Sequence, residues 1–232
     1  MFIFRVPLES TLIKSAKMVL AATAACLAMM ATGIAPASAS ETHASVVESA
    51  ESSLALLDKS ENPEATYAAL SSSEKQAFMD MYAPASTEET IRISPKDSKA
   101  RALSAEGIQP KSYAAVAKAG GCWATYVKRT VKNNFNAGLF DVYVEGSWCS
   151  NGTKVTSTSF ARTWSTIGTI GWKDKGQIGK GNGIAGGEGR IWGQRKMALG
   201  SGGWDVIEHR TCVRINGGKT GLYSGGTTCS IY

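Results

Sequence analysis

Histidine is scarce in this sequence, with two in 232 residues, and this limits the catalytic sites that the chain can form. His209 is the only one in the second half of the chain, and no serine lies in a G-x-S-x-G motif. Strand alternation places His209 among apolar neighbours, so we expect a core or rim histidine rather than a general acid-base group. The sequence therefore predicts no catalytic residue and no cofactor.

An apolar run long enough to span a membrane is also missing, since the stretch from Met18 to Met30 has 13 uncharged residues. Basic residues precede it, and Ala37-Ser38-Ala39 follows with the small-x-small pattern of a signal-peptidase site. We expect residues 1–39 to be a signal peptide that is cleaved after Ala39, and the protein to be secreted to an extracellular location. The alternatives are a lipoprotein signal at Cys26 and an uncleaved membrane anchor.

Glycine is absent between residues 40 and 100, a segment rich in Ala, Ser and Glu, and this composition favours helix. Pro63 directly after the capping residue Asn62 predicts the start of a helix. Ser71 and Glu74 have the spacing of a capping box, which predicts a second start.

An acidic helical segment over residues 40–84 and a linker over residues 85–118 therefore precede the last part of the chain. Residues 40–100 carry eleven acidic and five basic side chains, whereas residues 101–232 carry seventeen basic and seven acidic ones. The acidic part is either a helical hairpin that acts as a spacer or a pro-segment. A pro-segment would fold against the basic part and be removed near residues 99–101.

Four cysteines remain after removal of the signal peptide, and an even number in an exported domain favours two disulfides. They are Cys122, Cys149, Cys212 and Cys229. Oxidised cysteines and a single nearby histidine offer neither a thiolate zinc site nor a cysteine nucleophile. We therefore expect no bound metal.

Hairpin arithmetic favours one of the three possible disulfide pairings. If the first two cysteines face each other, the turn falls within residues 132–138, which are rich in Asn. If the last two face each other, the turn falls within residues 216–221, which are rich in Gly. The first register puts apolar side chains on one strand face, with Arg129 opposite Val142 as its exception. The favoured pairs are Cys122–Cys149 and Cys212–Cys229.

Residues 119–232 are predicted to form a mainly β domain that is stabilised by the two disulfides. Besides the first hairpin, strands are expected over residues 155–164, 190–199, 204–215 and 221–232. About six strands and no helix favour a small antiparallel β-sandwich or barrel. The glycine-rich stretch from Thr166 to Gly189 predicts a long, mobile surface loop.

Basic side chains alternate with tryptophan in this stretch and in the strand after it, a combination that suits anionic polymers. The candidate binding residues are Trp172, Lys173, Lys175, Lys180, Arg190, Trp192, Arg195 and Lys196. The expected partners are an anionic envelope polymer or a lipid surface, with nucleic acid disfavoured. Residues 181–186 spell G-x-G-x-x-G, but no helix is expected after them, so no nucleotide cofactor is predicted.

The combined pattern indicates a secreted, non-catalytic binding domain that acts at the cell envelope or on an extracellular anionic polymer. One alternative is a toxin-like or antagonistic protein with an inhibitory pro-segment. A small extracellular hydrolase is the other.

Three short motifs accompany the signal peptide and the helical segment. They are Gly121-Cys122-Trp123, the run from Trp148 to Gly152, and the late Cys229. In these respects the chain resembles uncharacterised exported proteins of Gram-positive, actinobacterial type, over about the last half of its length. The resemblance implies secretion and a C-terminal two-disulfide β domain, and it implies no activity.

Export makes a direct prediction about the mature chain. We expect protein recovered outside the cell to begin at Ser40 and to contain no free thiol, because signal peptidase cleaves after Ala39 and an oxidising compartment forms both disulfides. Intact mass before and after reduction, together with N-terminal sequencing, measures both properties. Four reactive thiols in that material would contradict the expectation.

Overall fold

The computed structural model describes residues 39–95 and 120–232. Residues 1–38 and 96–119 lie outside that part, so the signal peptide, most of the predicted linker and the proposed pro-segment cleavage stay predictions. Three helices come first along the described chain: α1 (Ala39–Lys59), α2 (Pro63–Ala69) and α3 (Ser72–Tyr82). None of the helices described is long and apolar enough to cross a membrane.

Local capping sets where α2 and α3 begin. The Asn62 side chain accepts a hydrogen bond from the Ala65 amide at 3.1 Å, and Pro63 occupies the first helical position. Ser71 and Glu74 form a complete capping box, and its hydrogen bonds lower the pKa of the Glu74 carboxyl. Both predicted helix starts are confirmed.

The first sheet contains β1 (Ser86–Pro95), β2 (Gly121–Lys132), β3 (Gly138–Ser150) and β4 (Val155–Ile167), in that order and all antiparallel. Cys122 faces Cys149 across β2 and β3, and the two form a disulfide. The predicted register of this hairpin is therefore confirmed.

Strand β1 corrects the prediction of a linker over residues 85–118. Its residues 86–95 pair along their whole length with β2. In the sequence Ile91 and Ile93 alternate with polar residues, and they pair with Val127 and Thr125; the Ile91 side chain packs against the core. This alternation is a strand signal that the Ser- and Pro-rich composition of the surrounding segment obscured.

The second sheet contains β5 (Trp172–Ala185), β6 (Glu188–Ser201), β7 (Trp204–Gly217) and β8 (Tyr223–Gly226), again antiparallel and in chain order. The predicted mobile loop from Thr166 to Gly189 is therefore wrong, since most of it is β5 and the start of β6. Its glycines make room for side chains of neighbouring segments. A Cβ on Gly181 would lie 2.6 Å from Nε1 of Trp192, and one on Gly183 would lie 3.0 Å from Ile231.

The last strand is shorter than the predicted 221–232. Arg214 faces Gly226, so the hairpin register differs from the one that would place Cys212 opposite Cys229. The chain leaves the sheet after β8, and Cys229 bonds to Cys212 from outside the ladder, at a Cα separation of 5.6 Å. The predicted disulfide between Cys212 and Cys229 is confirmed, but the prediction that the two cysteines face each other in a hairpin is wrong. A disulfide can still form because it requires a suitable distance between the two residues and not a shared strand register.

The two sheets pack face to face as a β-sandwich, which confirms the predicted fold class. Inward residues of both sheets form one core with exposures near zero. The core includes Val127, Val144, Ile191, Val213 and Ile215.

The acidic helices pack against this sandwich through apolar contacts. Leu54, Leu57 and Phe78 belong to the common core, and the Tyr67 ring lies 5.7 Å from the Trp204 ring. No ion pair joins α1, α2 or α3 to either sheet among the residues with described side chains. A pro-segment would also have to pack against the β domain, so this packing is compatible with that alternative. The helices are held by burial of apolar surface and not by attraction between the acidic and basic parts of the chain.

Arg129, the charged exception on the inward face of β2, connects the two sheets. Its residue surface is 5% exposed, and its guanidinium forms an ion pair with Glu89 of β1 at 2.7 Å. It also donates to the backbone carbonyl of Cys212 at 2.9 Å and to that of Gly226 at 3.0 Å. One side chain thus satisfies acceptors on β1, on β7 and at the end of β8.

We expect Arg129→Ala to lower the free energy of unfolding by about 3 kcal/mol, because it leaves Glu89 unpaired and two carbonyls without a donor. The control is Lys128→Ala on the opposite face, whose ion pair with Asp141 is 3.6 Å long and partly exposed. That change should alter the free energy by less than about 1 kcal/mol. Denaturant titration of the oxidised protein measures both, and equal effects would contradict the role given to Arg129.

Candidate functional site

The eight predicted binding residues lie on β5 and β6, but the structure divides them between the two faces of the second sheet. Trp172 points into the core, is 3% exposed and packs on Phe140 at a ring distance of 4.7 Å. Its ring cannot meet a ligand at the surface, because β5 is a strand whose first residue faces the other sheet. Arg195 also turns inward, donating to the backbone carbonyl of Thr163 at 2.9 Å.

Local partners engage most of the predicted cations. Lys175 forms an ion pair with Asp205 at 2.9 Å, and Arg195 donates to Asp174 at 2.9 Å.

Two more cations are held at the surface. Lys196 forms an ion pair with Glu208, and Lys180 lies 5.4 Å from the Phe160 ring centroid. Paired or engaged cations contribute little net field at the surface. The other three predicted residues, Lys173, Arg190 and Trp192, lie on the outer face, where Arg190 has a longer ion pair of 3.5 Å with Glu188.

Two residues of β7 complete this outer face and were missed in the sequence. Arg214 faces Trp192 in the ladder, and Asn216 faces Arg190. We call Arg190, Trp192 and Arg214 the outer-face cluster; Asn216 lies at its edge. Gly202 and Gly203, both with positive φ, form the β6–β7 turn. That Gly-Gly pair is a hairpin signal, but the turn alone would place Trp192 opposite Val213. The pairing of Trp192 with Arg214 depends on a one-residue register shift between Leu199 and Gly200, for which the sequence gives no signal.

The outer-face cluster carries excess positive charge that is partly removed from water. Burial, and then the charge of Arg190, lower the pKa of Arg214. The negative charge of Glu188 acts in the opposite direction and raises the pKa of Arg214. Oε2 of Glu188 lies 3.5 Å from Nε of Arg190. Nε of Arg190 and Nε of Arg214 are both buried without a hydrogen-bond partner among the described residues. Each guanidinium therefore has an Nε–H group that forms no hydrogen bond with these residues, although Arg190 Nε is ion-paired with Glu188.

Residues 230–232 cross this cluster after the second disulfide. Arg190 donates to the backbone carbonyl of Ile231 and Arg214 to that of Ser230, each at 3.0 Å. Backbone carbonyls are neutral acceptors, so they satisfy hydrogen bonds but do not neutralise the charge.

His209 lies at a different place, in a cavity of about 360 Å³ beside Arg129 and the disulfide of Cys212. It is half-buried, and its ring is 5.9 Å from that of Phe140. Neither a carboxylate nor a second histidine lines this cavity. No cluster of metal-ligating side chains occurs in the described part of the chain.

Three aromatic rings form a cluster on the outer face of the first sheet. Tyr143 and Trp164 are stacked at 4.7 Å, and Tyr126 lies 6.0 Å from Tyr143. The Arg162 guanidinium lies over the Trp164 ring at 4.6 Å. The three rings contact one another, and one of them contacts a cation. Such contacts between neighbouring strands stabilise a sheet, so the cluster has a structural role without a ligand.

No family model matches the sequence, and no match was found among the curated proteins or among the solved structures. The two-disulfide β domain that the resemblance implied is present, and the relation to actinobacterial exported proteins stays a prediction. Both disulfides are consistent with an extracellular protein.

His209 makes stability depend on pH. Burial lowers the pKa of His209, so below the unfolded value of about 6.5 the unfolded chain binds a proton that the folded chain does not. The free energy of unfolding should therefore fall as pH decreases through that range, and His209→Gln should reduce the slope. Gln194→Leu, which changes a residue of the same cavity that does not titrate, is the control and should keep it. Denaturant titrations between about pH 5 and pH 8 measure the slopes, and the same slope in wild type and His209→Gln would contradict the assignment.

Proposed function

We propose that this protein is an exported, non-catalytic domain that binds an anionic polymer of the cell envelope or the extracellular medium through the outer-face cluster. The observation that carries the proposal is the pair Arg190 and Arg214, whose two positive charges have one neighbouring carboxylate and whose buried Nε groups form no hydrogen bond among the described residues. The signal-like residues 1–39 and the two disulfides support export.

The free energy of this arrangement favours an anion. Partly buried guanidinium groups lose hydration, and each raises the electrostatic energy of the other. A carboxylate, sulfate or phosphate group beside the pair would neutralise its excess positive charge. Charge-assisted hydrogen bonds of arginine to such groups are among the stronger polar contacts in proteins.

A polymer fits this surface better than a single small anion because further cations surround the cluster. Residues 120–232 carry fourteen basic and six acidic side chains. Lys173 and Arg210 are exposed on the same sheet without an ion-pair partner among the described residues. Such a surface attracts a chain of repeated anions from a distance and holds one of them at the arginine pair.

The test compares two double variants of equal charge change. Arg190→Gln with Arg214→Gln should weaken binding of polygalacturonate at least about tenfold, because it removes two charge-assisted contacts. Lys128→Gln with Lys132→Gln removes two ion-paired cations from the first sheet and should change the affinity less than about twofold. Affinities are measured by titration calorimetry at about 0.05 M and about 0.5 M salt, where screening should weaken wild-type binding.

Several outcomes would contradict the proposal. Equal losses in the two double variants would mean that binding depends on total charge and not on the arginine pair. Stronger binding to anionic lipid vesicles than to any soluble polyanion would assign the cluster to a membrane surface. Release of new chain ends from the polymer during incubation would contradict the non-catalytic assignment.

A further inference from the structure

A cavity of about 570 Å³ opens at one end of the sandwich, where three turns converge. These turns follow β3, β5 and β7, at residues 151–154, 186–187 and 218–222. The volume lies in the range of small-molecule sites in proteins. Loops held by a rigid β-sandwich are also common positions for binding sites.

The lining of this cavity combines hydroxyl groups and the side chains of Lys154 and Lys219 with an apolar surface. Thr153, Thr220 and Ser224 bring hydroxyls, whereas Leu222 is 64% exposed and brings an apolar surface. A sugar or polyol has the complementary character, with hydroxyls at its edge and C–H groups on its face. Two of these hydroxyls already have a partner, since Thr153 donates to Asn151 Oδ1 and Ser224 Oγ accepts from Asn216, but each oxygen can still accept a hydrogen bond from a ligand.

Asn216 supplies the feature that specifies the ligand's chemistry. It lines the cavity and is 8% exposed. Its Nδ2 donates to Ser224 Oγ at 3.2 Å and to the Gly225 carbonyl at 3.0 Å, but its Oδ1 is buried without a partner. A buried carbonyl oxygen can be satisfied only by an O–H or N–H donor and not by an anionic oxygen. In a polymer of sugars or polyols that donor is a hydroxyl.

The cavity is continuous with the outer-face cluster. Asn216 faces Arg190 in the ladder, and Glu188 and Gly186 line the cavity. A Cβ on Gly186 would lie 3.4 Å from Arg190 Nη2, so the guanidinium lies next to the cavity's edge. One ligand unit can therefore place a hydroxyl at Asn216 and an anionic group at Arg190.

We infer that this cavity is a subsite for a hydroxyl-bearing anionic repeat unit, either a uronic acid or a polyol phosphate. The inference rests on the proposed function and narrows its ligand class. It assigns the charge to the arginine pair and the hydroxyl recognition to Asn216 and the turns. The domain then discriminates between polyanions of equal charge by their hydroxyl groups.

The test measures affinities for four polymers of matched length. Polygalacturonate and poly(glycerol phosphate) carry both charge and hydroxyls, linear polyphosphate carries charge alone, and dextran carries hydroxyls alone. We expect wild type to bind at least one of the first two about tenfold more tightly than polyphosphate, because a site built for hydroxyls leaves polar groups unpaired with any other ligand. Whichever of the two binds more tightly identifies the source of the repeat unit.

Two variants isolate the cavity from the charge. Asn216→Leu should weaken binding of the preferred polymer about fivefold and leave polyphosphate binding within about twofold, since only the hydroxyl contact is lost. Leu222→Trp, at an exposed position, should do the same by filling the cavity, and it decides the question if Asn216→Leu fails to fold. Asn182→Leu is the matched control, because Asn182 is exposed on β5 outside the cavity lining, and it should leave the preference intact.

The possible outcomes separate this inference from the proposed function. If polyphosphate binds as tightly as the hydroxylated polyanions and neither cavity variant changes any affinity, the inference is wrong and the proposed function stands. If no polyanion binds to wild type, the proposed function is wrong and the inference fails with it. If dextran binds as tightly as the polyanions at all salt concentrations, the anionic part of the inference is overturned.

Discussion

The buried guanidinium of Arg129 is the interaction on which the arrangement of the two sheets depends. It lies on the inward face of β2, where an unpaired charge would be strongly unfavourable. It forms an ion pair with Glu89 on β1 and donates hydrogen bonds to the carbonyls of Cys212 and Gly226 in the second sheet. Because these partners come from both sheets, the guanidinium is satisfied only when the sandwich has closed. The same contact holds the end of β8, from which the chain continues to the second disulfide and to the residues that cross the outer-face cluster.

Glycine has a packing role in the second sheet. On β5, Gly179 and Gly181 leave space for the Trp192 ring, and Gly183 leaves space for Ile231. Composition alone made this segment look like a loop, since the reason for its glycines lies on β6 and in the C-terminal residues. Arg190 and Trp192 lie two residues apart on β6, so they lie on the same face of the sheet, and the Trp192 ring packs over the β5 glycines.

The candidate site was predictable in part. Arg190 and Trp192 could be named from the sequence because basic and aromatic residues alternate there, but the same reasoning included Trp172, which is in the core. The prediction treated β5 as a loop because of its glycine content, so it could not assign Trp172 to the inner or the outer face of a sheet. Arg214 and Asn216 were missed because their contribution depends on the β6–β7 register and on which donors and acceptors remain without partners after folding.

The sequence by itself determined the helix starts at Asn62 and Ser71, the Cys122–Cys149 register and the β-rich second half, because each depends on short-range backbone chemistry or on the alternation of one hairpin. The tertiary structure alone decided that residues 86–95 are a strand, that Arg129 joins the sheets and that two arginines share one face. These features require groups far apart in the chain to satisfy one another's charge, volume and hydrogen bonds. No local pattern encodes such partners until the sheets have packed.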